Sequence, residues 1–269
     1  MWNGQTVSVV LPTYAERLSI RRVIEAFFET GVVDEVVVID NNAEPGTREE
    51  VAATRARLVV EPRQGYGHAI RRGLLEADGE LVVVTEPDGT FLPQDISKLL
   101  VYSDECDAVF GTRTTRNFIW RGANMPPLLR WGNWGVAKLV EALFNTNHLS
   151  DVGCTYKLFH RDLARHIAQH MAIGANHAAI EIMLITITSR ASFIELPVNY
   201  LPRVGRSSVT GNHLVAIGLG LRMVREVLRY RLRGGAPPYR SERRPPLAPL
   251  VELPRASETH KRAVEQTTN

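Results

Sequence analysis

Glu86, Pro87 and Asp88 end an apolar run, LVVVT, with two carboxylates two residues apart. On irregular backbone such a pair can share one hard divalent cation, which would neutralise charge on a diphosphate leaving group. The same residues also suit a plain turn, because Asp88-Gly89 is good turn chemistry. Asp40 ends a second apolar run, DEVVVID, where its carboxylate can accept hydrogen bonds from a ribose or a base, or cap the turn that follows. Asp151 and Glu181 are the carboxylates to consider as a general base if the reaction deprotonates a hydroxyl. Glu181 stands within HAAIEIMLI, and a carboxylate in such surroundings is either paired or functional. His177, at the head of that run, reads as a structural or helix-start histidine. Arg113, Arg121, Arg130, Lys157 and Arg203 can form a cationic cluster for an acceptor that is already ionised, although at least half of them are expected to be ordinary solvated charges. Gly65-Tyr66-Gly67 lacks the third glycine of a dinucleotide fingerprint and follows the third strand, not the first, which argues against a nicotinamide site.

The elements that must position these residues alternate β-branched runs with helical patterns, the rhythm of an α/β fold with a mostly parallel open sheet flanked by helices. Strands are expected at 7–11, 33–40, 57–61 and 80–86, with helices at 17–30, 47–55, 67–78 and 93–103 between and after them. A short strand at 108–111, a helix at 128–144, a strand entered through 151–159, a helix at 178–189 and a strand at 193–201 complete the body. Ligands of open α/β sheets bind beyond the carboxyl ends of the strands, so the loops after the first four strands should converge on one crevice. Residues 213–233 form an amphipathic pattern with an apolar start and a basic end. From Gly234 onward the chain is rich in Pro, Arg and small polar residues, and residues 234–269 are expected to be disordered.

Of 269 residues, 32 are Lys or Arg and 29 Asp or Glu, a globular composition. Basic residues exceed acidic ones by 13 to 5 after residue 202, whereas acids exceed bases by 24 to 19 before it. The basicity therefore belongs to the C-terminal part, and a nucleic-acid partner is not implied for the body. Cys106 and Cys154 are too few for a disulfide framework, which suits a reducing, cytoplasmic compartment. No apolar run reaches transmembrane length and the N-terminus has no charged, signal-like start.

Five stretches in order, VVLPTYAE, VIDNNAEPGT, RQGYGHAIRRG, VVVTEPDGTFLPQD and DAVFGTR, resemble the family-2 glycosyltransferases of the GT-A fold, and within them the polyprenyl-phosphate (dolichol-phosphate) hexosyltransferase branch. The resemblance spans about residues 7 to 210, so residues 1–212 are expected to form the catalytic domain. It implies that Pro12, Thr13, Tyr14 and Glu16 surround the nucleobase of a UDP- or GDP-sugar, and that Asp40 and Asn41 contact the nucleoside. Arg63 and Gly67 would cover the nucleotide sugar. Glu86, Pro87 and Asp88 fall on the family's Asp-X-Asp stretch, whose carboxylates hold Mg or Mn on the diphosphate. Arg113 and Lys157 match basic residues near phosphate, and Arg203, Gly205 and Ser207 match a loop that closes on donor and metal. Three positions depart from the pattern: Ala15 replaces asparagine, Asn41 replaces aspartate, and Glu86 replaces the first metal-side aspartate.

The resulting expectation is a metal-dependent, inverting hexosyltransferase acting on a polyprenyl phosphate, cytoplasmic or peripheral at the inner membrane face through its basic C-terminal helix. The alternatives are a soluble alcohol acceptor, a nucleotide-sugar-binding module without turnover, or a nucleotidyltransferase, the last disfavoured because PTYAE replaces the glycine-rich loop after the first strand.

Overall fold

The computed structural model describes residues 1–205 and 213–241. Strands β1 (Val7–Thr13), β2 (Glu35–Asp40), β3 (Arg57–Val60), β4 (Leu81–Val84), β5 (Ala108–Thr112), β6 (Lys157–His160) and β7 (Phe193–Pro197) form one sheet in the order β3-β2-β1-β4-β6-β5-β7. All neighbours are parallel except β6, which runs antiparallel to both β4 and β5. The helices are α1 (Arg17–Glu29), α2 (Thr47–Ala52), α3 (Tyr66–Glu76), α4 (Ile96–Val101), α5 (Pro127–Phe144), α6 (Arg161–His170), α7 (Ala178–Thr188) and α8 (His213–Arg233).

The central strands are mostly apolar because both faces of the sheet are covered. Val10, Val82 and Val84 point to a core shared with α3, α6, α7 and α8, while Val9, Leu11, Leu81 and Val83 point to a second core beneath α1 and α4. Gly73 lets α3 sit down on β1, since a Cβ there would lie 2.1 Å from a methyl of Val10.

Two expectations change. Helix α6 was not foreseen, although Leu163, Ala164, Ile167 and Ala168 bury a helical stripe against the first core. The C-terminal segment is also less separate than expected. Met223, Val227 and Tyr230 of α8 are buried in the core, and the chain continues packed beyond Gly234, where the Ala236 amide donates to the Thr188 hydroxyl at 3.2 Å and the Tyr239 amide to the Ser189 carbonyl at 2.8 Å. The compact unit runs from Met1 to Tyr239, past the expected boundary at 212 and the first residues of the segment expected to be disordered from 234. Residues 242–269 of the expected tail, and Ser207, lie outside the described residues. Among the described residues no helix is long and apolar enough to cross a membrane.

Candidate active site

The carboxyl ends of β1, β2 and β4 bring the acidic loops together as expected for an open sheet. After β1, Glu16 folds back so that one carboxylate oxygen accepts from the Thr13 hydroxyl and from the Tyr14 and Ala15 amides at 2.7 to 3.2 Å. Its other oxygen accepts from Arg203 at 2.8 Å. Pro12 and Thr13 are buried in the strand end, whereas the Tyr14 ring is exposed.

Beyond β4, the loop Glu86-Pro87-Asp88 is clasped by the segment after β7. The Leu201 amide donates to the Thr90 carbonyl and the Val204 amide to the Asp88 carbonyl. Asp88 is 1% exposed. Its Oδ1 accepts from the Thr90 amide and hydroxyl at 2.9 and 2.6 Å, while Oδ2 accepts no hydrogen bond and meets positive charge only in an ion pair with Arg203 at 3.0 Å. One oxygen of Glu86 accepts from the Tyr66 hydroxyl at 3.3 Å and the Thr155 hydroxyl at 3.2 Å. Burial, and next the charge of Asp88, push the Glu86 carboxyl up to about 8. Arg203 spans the cluster, bridging Glu16 and Asp88 from opposite sides. Two hard-oxygen ligands, one of them a carboxyl whose proton affinity is raised, could together hold a divalent cation, with the proton released. Among the described residues no third His, Cys, Asp or Glu completes a set of three.

The remaining candidates resolve into different roles. Asp40 is buried, and its carboxylate accepts from the Ala43 amide at 2.8 Å and from Arg48 at 2.6 Å, so it builds the turn after β2 while the exposed Arg48 covers it. Asn41 turns away from the crevice: its amide donates to the carbonyls of Glu61 and Arg63, and its oxygen accepts from the Gly65 amide at 2.8 Å. It straps the loop after β3 to the sheet. The Arg63 guanidinium is paired with Glu61. Gly67 serves packing, since a Cβ there would lie 2.0 Å from the Ile173 carbonyl oxygen.

On the other side of β4, Arg113 and Asp151 form a buried two-pronged pair at 2.8 and 2.9 Å, to which the Arg113 amide adds a bond at 3.0 Å. Burial alone would raise the Asp151 carboxyl, but the Arg113 charge and hydrogen bonds outweigh it and hold the group below its ordinary value. Asp151 is thus a partner for an arginine and not a free base. Glu181 is fully buried, and its carboxylate accepts from the Ala172 and Ile173 amides and the Tyr230 hydroxyl, tying α8 to the loop before α7. It does not join the crevice. Lys157, expected in the cationic cluster, is buried with its Nζ 4.5 Å from the centre of the Phe110 ring and without a hydrogen bond. Burial lowers its proton affinity. Tyr66, Thr90 and Thr155 were missed as residues, although each stands in a stretch already singled out: RQGYG, VVVTEPDGTFLPQD and residues 151–159.

Comparison with known proteins agrees with this layout. Residues 8–168 match the family model "Glycosyl transferase family 2". An uncharacterised glycosyltransferase of Mycobacterium tuberculosis is 30% identical over 213 residues, covering 78% of this chain and 92% of its own. A dolichyl-phosphate hexose transferase of Haloferax volcanii is 27% identical over 229 residues, covering 84% and 96%. The crystal structure of glucosyl-3-phosphoglycerate synthase from Mycobacterium tuberculosis in complex with Mn2+, UDP and glucosyl-3-phosphoglycerate superposes with a TM-score of 0.64 at 21% identity, covering 85% of this chain and 80% of that one. With three-fifths of its length under the family model and a GT-A architecture to match, the chain belongs to glycosyltransferase family 2.

Proposed function

We propose that the protein is a divalent-cation-dependent, inverting hexosyltransferase that moves a hexose-like sugar from a UDP- or GDP-sugar to a polyprenyl phosphate. The observation that carries the reading is the pair just beyond β4, in which the partly buried Glu86 has a raised proton affinity and the buried Asp88 an oxygen that accepts no hydrogen bond. Those two carboxylates would hold Mg or Mn, which supplies positive charge to the diphosphate leaving group. Glu16 and the loop it shapes, with the buried edge at Pro12 and Thr13, form the nucleoside side. Arg203 lies between Glu16 and Asp88, so turning its guanidinium toward donor phosphates would exchange one set of oxygens for another.

The acceptor follows from the state of the carboxylates. A hydroxyl nucleophile needs a general base, but Asp151 is locked on Arg113 and Glu181 is enclosed away from the crevice. A phosphate oxygen is already ionised and needs no base, which favours a phosphate acceptor; the Haloferax relative, named for dolichyl phosphate, supports the lipid form. A soluble acceptor is the second reading, favoured by likeness to a fold crystallised with glucosyl-3-phosphoglycerate.

The test is a transfer assay with Mn or Mg, a panel of UDP- and GDP-sugars, and a short polyprenyl phosphate added or withheld. Release of UDP or GDP that depends on the lipid is the expected result. Slow hydrolysis indifferent to lipid would move the acceptor to soluble alcohols, and tight nucleotide binding without turnover would make the protein a binding module.

A further inference from the structure

Helices α5 and α8 pack against each other and both show water an apolar face that the core does not use. On α8, Met223, Val227 and Tyr230 face inward, while Ile217, Leu221, Leu228 and Leu232 recur on the opposite side at helical spacing and are 44 to 83% exposed. Arg222 and Arg225 flank this second stripe on one side and Arg231 on the other, all exposed. The one acid of α8, Glu226, is buried beside the inward face and is covered by Arg229 at 2.5 Å and Arg225 at 3.5 Å. On α5, Leu128, Trp131 and Trp134 are 52, 58 and 43% exposed, and the two indoles meet edge to face at 5.6 Å. Each indole is followed by a glycine, Gly132 and Gly135, with open space where a side chain would stand. The cations near these rings are Arg130 over Trp131 and Lys138 beside Trp134, the latter paired with Glu141.

We infer that the outer faces of α5 and α8 form a docking surface for an anionic lipid bilayer, with the leucines and tryptophans entering the headgroup boundary and the arginines gripping lipid phosphates. A helix with a strongly basic border around an apolar stripe is the pattern that lies in a membrane interface, and indoles favour that depth because one edge is apolar and the other can donate a hydrogen bond. Guanidinium groups suit phosphate oxygens in pairs, so arginine alone on this border of α8 matches the chemistry of anionic headgroups.

Charge decides against a second copy of the chain as the occupant. A two-fold contact sets a patch against itself, which would bring the basic borders of two copies of α8 together without an exposed acid on α8 to receive them. A bilayer supplies the opposite charge. The opposite, buried face of α5 reaches inward, where Asn133 and the Arg113 guanidinium both crowd Gly153. The inference stands apart from the choice of acceptor, since docking needs neither donor nor transfer.

The experiment is co-sedimentation of the full chain with phosphatidylcholine vesicles and with the same vesicles doped with phosphatidylglycerol, without nucleotide sugar or acceptor. Binding should require phosphatidylglycerol, weaken with salt, and shift tryptophan emission to the blue. L221Q with L232Q, and separately W131Q with W134Q, should each lower the partition coefficient about tenfold or more while leaving the thermal transition in place, because the replaced side chains are exposed. Replacing Arg222, Arg225 and Arg231 by Gln should remove the preference for phosphatidylglycerol. Binding unchanged in all three variants, or lost instead on R243Q with R244Q, would overturn the assignment. So would a dimer in solution that falls apart in L221Q with L232Q. Failure to transfer sugar to a lipid, with vesicle binding intact, would sink the acceptor reading and leave this one standing.

Discussion

Asp151 and Asp88 are both buried beside an arginine, yet their surroundings differ. Asp151 accepts four hydrogen bonds, three from Arg113 and one from the Gly153 amide, and its carboxyl is held below the ordinary range despite full burial. Asp88 has one oxygen saturated by Thr90 and the other facing Arg203 without a hydrogen bond, and its neighbour Glu86 is pushed up to about 8. A carboxylate whose lone pairs are filled by its own chain contributes to folding and has little left for a ligand. A crowded pair of acids with an unfilled oxygen gains by taking up a cation, and perturbed carboxylates of that kind gather at functional sites. The two clusters should therefore fail in different ways when broken.

The largest effect is expected at the satisfied pair. Asp151→Ala leaves the Arg113 guanidinium buried and uncompensated, at a cost of about 3 to 5 kcal/mol in unfolding free energy. Urea denaturation measures this directly, and a loss below about 1 kcal/mol would place the Arg113 pair among ordinary surface contacts. The mirror experiment is Asp88→Asn, which keeps the Thr90 bonds to Oδ1. Turnover should fall by two to three powers of ten, the scale for removing one group that stabilises developing charge, while the melting temperature stays near the parent value. A variant that lost stability but not turnover would erase the contrast between the clusters.

Much of this was legible in the sequence, for local reasons. The runs VVVI before Asp40 and LVVV before Glu86 are wholly apolar, which required a sheet buried on both faces and set the acids at its carboxyl edge. Membership of the family followed from five short stretches in order. Pairings were not legible, because they join distant residues: Glu16 meets Arg203 across 187 positions and Arg113 meets Asp151 across 38. Residue type marked Asp151, Glu181 and Lys157 as chemical, but only packing against Arg113, the loop at 172–173 and the Phe110 ring revealed how they are spent. Helix α6 was hidden for a different reason, its apolar stripe being four residues interleaved with Arg161, Asp162, Arg165 and His166.

Glu195 sharpens the comparison from the satisfied side. Its carboxylate accepts from the Ser150 hydroxyl and the Asp151 amide, and so supports the segment that carries Asp151. Burial nevertheless raises it from 4.5 to about 7. Between those values the folded protein retains a proton that the unfolded chain has released, so this group's contribution to stability is full below about pH 4.5, declines as pH rises, and is gone above about 7. Glutamine cannot ionise. The stability difference between E195Q and the parent should therefore move in the variant's favour by about 2 kcal/mol from pH 5 to pH 8. A difference that does not change with pH would mean that Glu195 ionises in the folded state as it does in water.

The smallest effect belongs to Asn41, which stands where the resembling family has an aspartate. If Asn41 faced the nucleoside, restoring the acid would strengthen donor binding. Its observed bonds argue the reverse, because the Nδ2 group donates to two backbone carbonyls, of Glu61 and Arg63, and an aspartate would set an oxygen against both. The bonds to its oxygen, from the Gly65 amide and from Gln64, survive the exchange. Asn41→Asp should thus cost about 1 to 2 kcal/mol in stability and loosen the loop after β3, raising the KM for donor several-fold with kcat nearly unchanged. Tighter donor binding in N41D would instead put Asn41 inside the crevice, and the division between an open acidic cluster and its fully bonded supports would have to be redrawn.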